Sequence, residues 1–300
     1  MSPAPRVVIV HRHTELEELR ARHATRGQAQ FFLARRGRTI EDVEAGQVAQ
    51  TAAVRTVTAA IPVDWRRGSV EREDVPRFLF EPGDVVVAVG QDGLVANVAK
   101  YLDGQPVIGI NDDPRRNPGV LVQHTPAAAG ALIHAAITRS PALRIEERTM
   151  VEAVSDDGQR LVALNEVYVG QPTHQTARYT VRLPDRRSER QASSGLLVGT
   201  GTGATGWCRS VWLERRSAVE LPAPETGRLA WFVREAWPSP ATGVTLTEGV
   251  LFEGASLSVT VESDRLVAFG DGIEADAIPV IRGQTVQLRV AARRLRLVGA

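Results

Sequence analysis

Hydrophobic positions in the first half of the chain alternate between two periods. Val7–Val10 is a short apolar run that reads as a buried strand. Thr14 to Arg22 carries Glu and Arg at helical spacing, and Thr14 with Glu17 fits a capping box. Gln28 to Arg36 and Ile40 to Thr58 predict two more helices. Asp84–Val89 (DVVVAV) is a β-branched run that ends in a glycine turn, and Val95–Leu102 then reads as helix. Val107–Ile110 is another apolar strand after Pro106. Thr125 to Ile137 is Ala-rich and helical, with Pro126 at a first helical position. This order of strands and helices predicts an α/β domain with a parallel sheet covered by helices.

The second half changes pattern. Leu143–Val154, Leu161–Val169, Ala177–Leu183 and Gly195–Gly199 are short strand-like runs separated by Gly, Pro, Asp and Ser. Gly249 to Ala268 and Val280 to Leu297 continue it, with strict alternation in Ser256–Val261 and Val286–Val290. One helix, Ala204 to Arg216, interrupts the strands, and Asp185–Glu189 reads as a charged, solvated turn. The expectation is a sandwich-like, all-β second domain. The change falls near Arg139–Leu143, giving domains 1–140 and 141–300, with the C-terminal tail packing back on the first.

Composition narrows the function classes. Hydrophobic residues make up 43% of the chain and charged residues 24%, enough apolar material for a packed core. The net charge of +1 gives no pull toward nucleic acid or an anionic membrane. Lys100 is the one lysine among 36 basic residues, an arginine bias that fits a GC-rich coding sequence and locates no site. Cys208 is the only cysteine, which excludes an internal disulfide and a cysteine-based zinc site. No apolar run reaches the ~20 residues of a membrane span, and the N-terminus lacks the apolar core of a secretory signal. The expected location is cytoplasmic.

Several turns carry candidate chemistry. Gly90-Gln91-Asp92-Gly93 sits where a parallel strand ends and a helix begins, the position at which open parallel sheets bind ligands. Gly90, Gln91 and Gly93 let the backbone approach a phosphate. An aspartate there suits proton removal from a hydroxyl or metal holding, and Asp-Gly also fits a plain turn. Gly109-Ile110-Asn111 ends the next strand, so Asn111 belongs on the same sheet edge. The polar pair Asn165-Glu166 interrupts an apolar strand, as a ligand clamp or a strand edge would. In Gly199–Gly206 (GTGTGATG), the Gly201 and Gly203 amides and the Thr200, Thr202 and Thr205 hydroxyls suit phosphate or ribose. Trp207 fits base stacking or a core position. Asp271-Gly272 reads as a hairpin turn. The six histidines form no metal-ligand pair at helical spacing; His174 fits either a cleft wall or a surface loop.

In order, these stretches resemble the NAD kinase family: a Gly-Gly-Asp-Gly turn, a Gly-Ile-Asn strand end, an Asn-Glu pair, a Thr/Gly-rich segment before a helix, and a late Asp-Gly turn. The resemblance spans roughly residues 84 to 290. The runs Pro106–Leu121 and Ser193–Leu196 are most similar to the mitochondrial branch. It implies an α/β domain followed by a β domain with the active site in the cleft between them. It also implies ATP, Mg²⁺ or another divalent metal, and NAD or NADH as acceptor, in a homodimer or larger homo-oligomer. Asp92 would take the proton of the ribose 2′-hydroxyl. Gly93, Asn111, Asn165, Glu166, Thr200, Thr202, Thr205 and Trp207 would line the dinucleotide.

One position departs from the family pattern. Gln91 stands for the second glycine of the first turn, and Leu94 for the threonine that often follows. A φ above zero there would cost Gln more than Gly. Two other readings therefore stand beside the kinase: a related kinase for another nucleotide or hydroxyl substrate, and a non-catalytic dinucleotide sensor.

Overall fold

The structure is a computed structural model that describes residues 4–300. It divides into two compact units, one running through Glu146 and taking back Arg296–Ala300, the other Glu147–Leu295.

The first unit opens with β1 (Arg6–His11), α1 (Glu15–His23), α2 (Arg26–Ala34) and α3 (Ile40–Ala60). Then come β2 (Arg66–Glu71), β3 (Val85–Gly90), α4 (Asp92–Ala99), β4 (Pro106–Asn111), α5 (Ala129–Ile137) and β5 (Ile145–Arg148). Strand order is β2-β1-β3-β4, then the chain's last strand Leu295–Val298, then β5. Pairing is parallel from β2 through Leu295–Val298. Helices cover the sheet, so β1, β3 and β4 are apolar without alternation and bury both faces. Ala53 and Val57 of α3 and Ala129 and Ile133 of α5 pack with Val7, Val87 and Ile108 in one core. Leu143 and Ile145 join that core, which is why this unit extends past residue 140 to Glu146. The capping box at Thr14 and Glu17 is present and starts α1.

β2 has no counterpart in the sequence reading. Its residues, RRGSVE, are mostly exposed on the sheet edge, so neither apolar content nor alternation marks it.

The second unit contains β6 (Val151–Ser155), β7 (Arg160–Ala163), β8 (Glu166–Gly170), β9 (Ala177–Arg182), β10 (Ser188–Ser193) and β11 (Leu196–Gly199). After α6 (Trp207–Arg215) come β12 (Arg228–Val233), β13 (Glu248–Phe252), β14 (Ser256–Val261), β15 (Arg265–Gly270), β16 (Ile273–Ile281) and β17 (Thr285–Val290). β18 is the strand Leu295–Val298 placed above. Two antiparallel sheets, β10-β9-β14-β17-β6-β7 and β13-β12-β11-β8-β15-β16, share one core. Tyr179, Val259 and Leu288 of the first pack with Leu196, Trp231 and Leu266 of the second. α6 covers the outer face of the second sheet, placing Cys208 and Val211 against Leu197 and Phe232. β11 is therefore buried on both faces: Leu196 and Val198 point into the sandwich and Leu197 toward α6. Burying a side chain such as Phe232 contributes about 2–3 kcal/mol.

No helix among the described residues is long and apolar enough to cross a membrane.

Candidate active site

Each unit holds one loop assembly that gathers residues singled out above. In the first, β3 ends at Gly90, whose φ of +152° suits glycine. Gln91 follows in an extended conformation, φ −113° and ψ 165°, as the N-cap of α4. The backbone cost expected at Gln91 is thus absent, because the positive φ falls one residue earlier. Asp92 and Gly93 form the first turn of α4 rather than a turn preceding the helix. A side chain added to exposed Gly93 would meet nothing within 4 Å. Open space and helix-start amides together suit an anion.

The Asp92 carboxylate is held by backbone. Oδ1 accepts the amides of Leu121 at 2.7 Å and Val122 at 3.0 Å, and Oδ2 accepts that of Val120 at 2.9 Å. A carboxylate has about four lone-pair positions. Three are occupied, and the fourth, on Oδ2, has no partner among the described residues. The loop that donates these amides lies flat on β4 because two glycines permit it. A Cβ on Gly109 would lie 2.1 Å from the Leu121 carbonyl oxygen, and one on Gly119 would lie 2.6 Å from that of Val122. The predicted site residue Asn111 stabilises the same loop. Its Nδ2 donates to the Asn117 carbonyl at 2.9 Å and its Oδ1 accepts the Asp113 amide at 3.1 Å. Asp112, next along the chain, has a buried Oδ1 that accepts no hydrogen bond among the described residues, and burial raises its pKa.

In the second unit an equivalent device holds the Asn-Glu pair. Asp271 and Gly272 form the two-residue turn between β15 and β16, with φ of 55° and 69°, as a type I′ hairpin requires. Asp271 Oδ1 accepts the Asn165 amide at 2.7 Å and the Glu166 amide at 3.4 Å, and Oδ2 accepts the Leu164 amide at 2.8 Å. Thr200, fully buried, closes the other side. Its hydroxyl donates to the Leu164 carbonyl at 2.6 Å and accepts the Thr202 and Gly203 amides at 3.1 and 3.2 Å. Gly203 is sterically required, since a Cβ there would sit 2.2 Å from the Asn165 oxygen. Gly201 is equally confined by Ala223, whose oxygen lies 2.3 Å from a built Cβ.

The backbone is thus occupied and certain side chains are not. Among the described residues neither the Asn165 side-chain carboxamide nor the Glu166 carboxyl group has a hydrogen-bond partner. The Thr202 hydroxyl is buried and unpartnered as well. Glu166 is pushed up to about 7, first by burial and then by the Asp271 charge. Cys208 is raised to about 12 by burial and by Glu166, so it behaves as an inert core thiol.

The remaining predicted residues separate. Thr205 donates to the Thr202 carbonyl at 2.9 Å and lies at the surface. Trp207 joins the aromatic cluster under α6, stacked on Tyr168 at 5.7 Å with the Arg234 guanidinium over its ring at 5.3 Å. Asp271 is a positioning residue that the sequence marked only as a turn. Away from these loops, His13, Glu71 and Glu73 bring ligand-type atoms together, with His13 Nε2 2.6 Å from Glu71, in an ion-pair cluster at the ends of β1 and β2.

No family model matches the chain. An NAD kinase of Methanoregula boonei is 30% identical over 129 residues, 42% of this chain and 46% of that protein. Human mitochondrial NAD kinase 2 is 29% identical over 195 residues, 50% of this chain and 44% of that protein. Over about half its length the chain is similar to NAD kinases. The matched stretch covers less than half the length of these curated relatives. A crystal structure of yeast NADH kinase complexed with NADH has the same fold, with a TM-score of 0.66 over 100% of this chain and 84% of that one, at 12% identity. The α/β unit followed by a β-rich unit is thus a fold that this chain shares with that yeast enzyme.

Proposed function

We propose that the chain transfers the γ-phosphoryl group of ATP to the 2′-hydroxyl of the adenosine ribose of NAD or NADH, giving ADP and NADP(H). The observation that carries this reading is the placement of Asp92 in the first turn of α4, at the carboxyl end of a parallel strand, beside the unobstructed Gly93. The bond from the γ-phosphorus to its bridging oxygen breaks, and a bond from that phosphorus to the ribose oxygen forms. The hydroxyl proton passes to the open lone pair of Asp92 Oδ2 and then to water. Such a transfer needs positioning and charge neutralisation more than covalent chemistry. Gly90, Gln91 and Gly93 supply the approach to phosphates, whereas Gly201 and Gly203 are packed against Ala223 and Asn165 and shape the loop. Asn165, Glu166 and Thr202, whose polar groups are unspent, hold the dinucleotide. Glu166 near its midpoint at neutral pH can donate to a ribose oxygen or accept from a hydroxyl.

A divalent metal would arrive with ATP and neutralise its phosphate oxygens. Mg²⁺ keeps few protein ligands, and Asp112, with its orphaned oxygen, is the carboxylate whose chemistry suits it. The family resemblance supports a homo-oligomer. The test is an incubation with NAD or NADH, ATP and Mg²⁺, with NADP read through an NADP-specific dehydrogenase.

One observation favours a second reading, a dinucleotide sensor without turnover: three of the lone pairs on Asp92 are taken by backbone amides. Dinucleotide binding with no product from either acceptor distinguishes it.

A further inference from the structure

His174 belongs to neither loop assembly, yet it lines a cavity of about 640 Å³ in the second unit. The cavity is walled by the segment after β8, by β10, and by the turns after β14 and β16. Arg178, Arg190, Arg265 and Arg282 face it, together with Glu262 and Asp264. Both carboxylates are already matched. Arg190 pairs with Glu262, which also accepts the Thr180 hydroxyl at 2.7 Å, and Arg282 pairs with Asp264 at 3.0 Å. Arg178 and Arg265 are exposed and have no ion pair or side-chain hydrogen bond among the described residues. The cavity therefore carries an excess of two guanidinium forks.

The topology separates this cavity from the proposed catalytic loops. β8 runs from Glu166, at the Asp271 clamp, to Gly170, where the cavity wall begins. β15 runs from Arg265 in the cavity to Gly270 beside Asp271. A strand of this length spans roughly 15–20 Å. The two places are opposite ends of the same two adjacent strands.

We propose that this cavity is a second anion site that binds an oligophosphate, either the phosphate chain of a nucleotide or inorganic polyphosphate. Two guanidinium forks match two neighbouring phosphate groups bidentately. Ser263 is oriented there, its hydroxyl accepting the Arg178 amide at 2.9 Å. His174 and Gln175 of the β8–β9 loop supply further donors at the mouth.

The test uses the full chain and reads the His174 imidazole resonances, identified by loss in His174→Gln. Tripolyphosphate, pyrophosphate and ADP are titrated separately, with no dinucleotide and no turnover, so the result does not depend on the kinase reading. The expected result is a saturable His174 shift with tripolyphosphate, weakened at least about tenfold in the R178Q/R265Q variant. R178K/R265K, which keeps the charges and loses the forks, is expected to weaken it less. Tighter binding of ADP than of pyrophosphate identifies the ligand as a nucleotide, and the reverse identifies inorganic phosphate chains. Both side chains are exposed, so an unchanged melting temperature is expected for these variants. No His174 shift with any of the three probes, or an equal shift in R178Q/R265Q, overturns the proposal.

Discussion

Asp92 Oδ1 accepts the backbone amide of Leu121 at 2.7 Å, across 29 residues of sequence. The proposed catalytic carboxylate is therefore also the clasp of the loop after β4. Hydrogen bonds to a charged group contribute about 1.5–3 kcal/mol each. Asp92→Asn keeps one oxygen and turns an NH₂ group toward the loop amides. The expected outcome is a stability loss of roughly 2–4 kcal/mol in denaturant unfolding, together with loss of turnover. A variant that unfolds at the wild-type midpoint would show that the clasp contributes nothing.

Asp271 has the same relation to Asn165, and the substitution Asp271→Asn separates positioning from contact. It is expected to destabilise the second unit and to raise KM for the dinucleotide through the displaced Asn165 and Glu166. KM for ATP is expected to change far less. Equal changes in both constants would contradict a role confined to the Asn-Glu pair.

Glu166 makes stability pH-dependent in a stated direction. Its folded pKa is raised from 4.5 to about 7. Between those values the folded chain keeps the proton and the unfolded chain does not. The group's contribution is full below pH 4.5 and lost as pH rises toward 7. The loss above that is about 3 kcal/mol. Unfolding free energies measured from pH 4.5 to 8 are expected to lose this slope in Glu166→Gln, which becomes the more stable protein at pH 8. An unchanged slope would remove Glu166 as its source.

Gly93 and Gly203 make opposite predictions from equivalent substitutions. Gly93→Ala meets open space in a helix, so stability stays level or rises by up to about 1 kcal/mol while phosphoryl transfer falls. Gly203→Ala drives a methyl group into the Asn165 carbonyl and lowers stability by several kcal/mol, on the order of other severe core overpacking. Thermal melting and the coupled assay on both variants check the pair. Full activity in Gly93→Ala would show that no phosphate approaches there.

Of the strands buried on both faces, β1, β3, β4 and β11 were legible from sequence because burial removes polar residues, while β12 (RLAWFV), equally apolar, was not read. β2 and β10 were not, since RRGSVE and SERQAS lie at sheet edges and carry the composition of turns. The Gly and Asp positions of the loops were visible, and the work each does was not. Nothing local in the sequence says that the Asn111 amide and the Thr200 hydroxyl are consumed within the protein, while Asn165 and Thr202 remain unspent. For Thr200 that division is fixed by a partner remote in the chain, Leu164, and for Asn111 by the conformation of the turn through Asp113 and Asn117. Gln91 departs from the family turn without backbone strain, because the positive φ belongs to Gly90.

The most direct measurement is product formation from NAD, and separately from NADH, with ATP and Mg²⁺, followed by NADP-specific coupling and by ADP release. The account predicts NADP or NADPH and ADP in a one-to-one ratio, with the rate reduced in Gly93→Ala while that variant stays folded. Dinucleotide binding without product from either acceptor would contradict it.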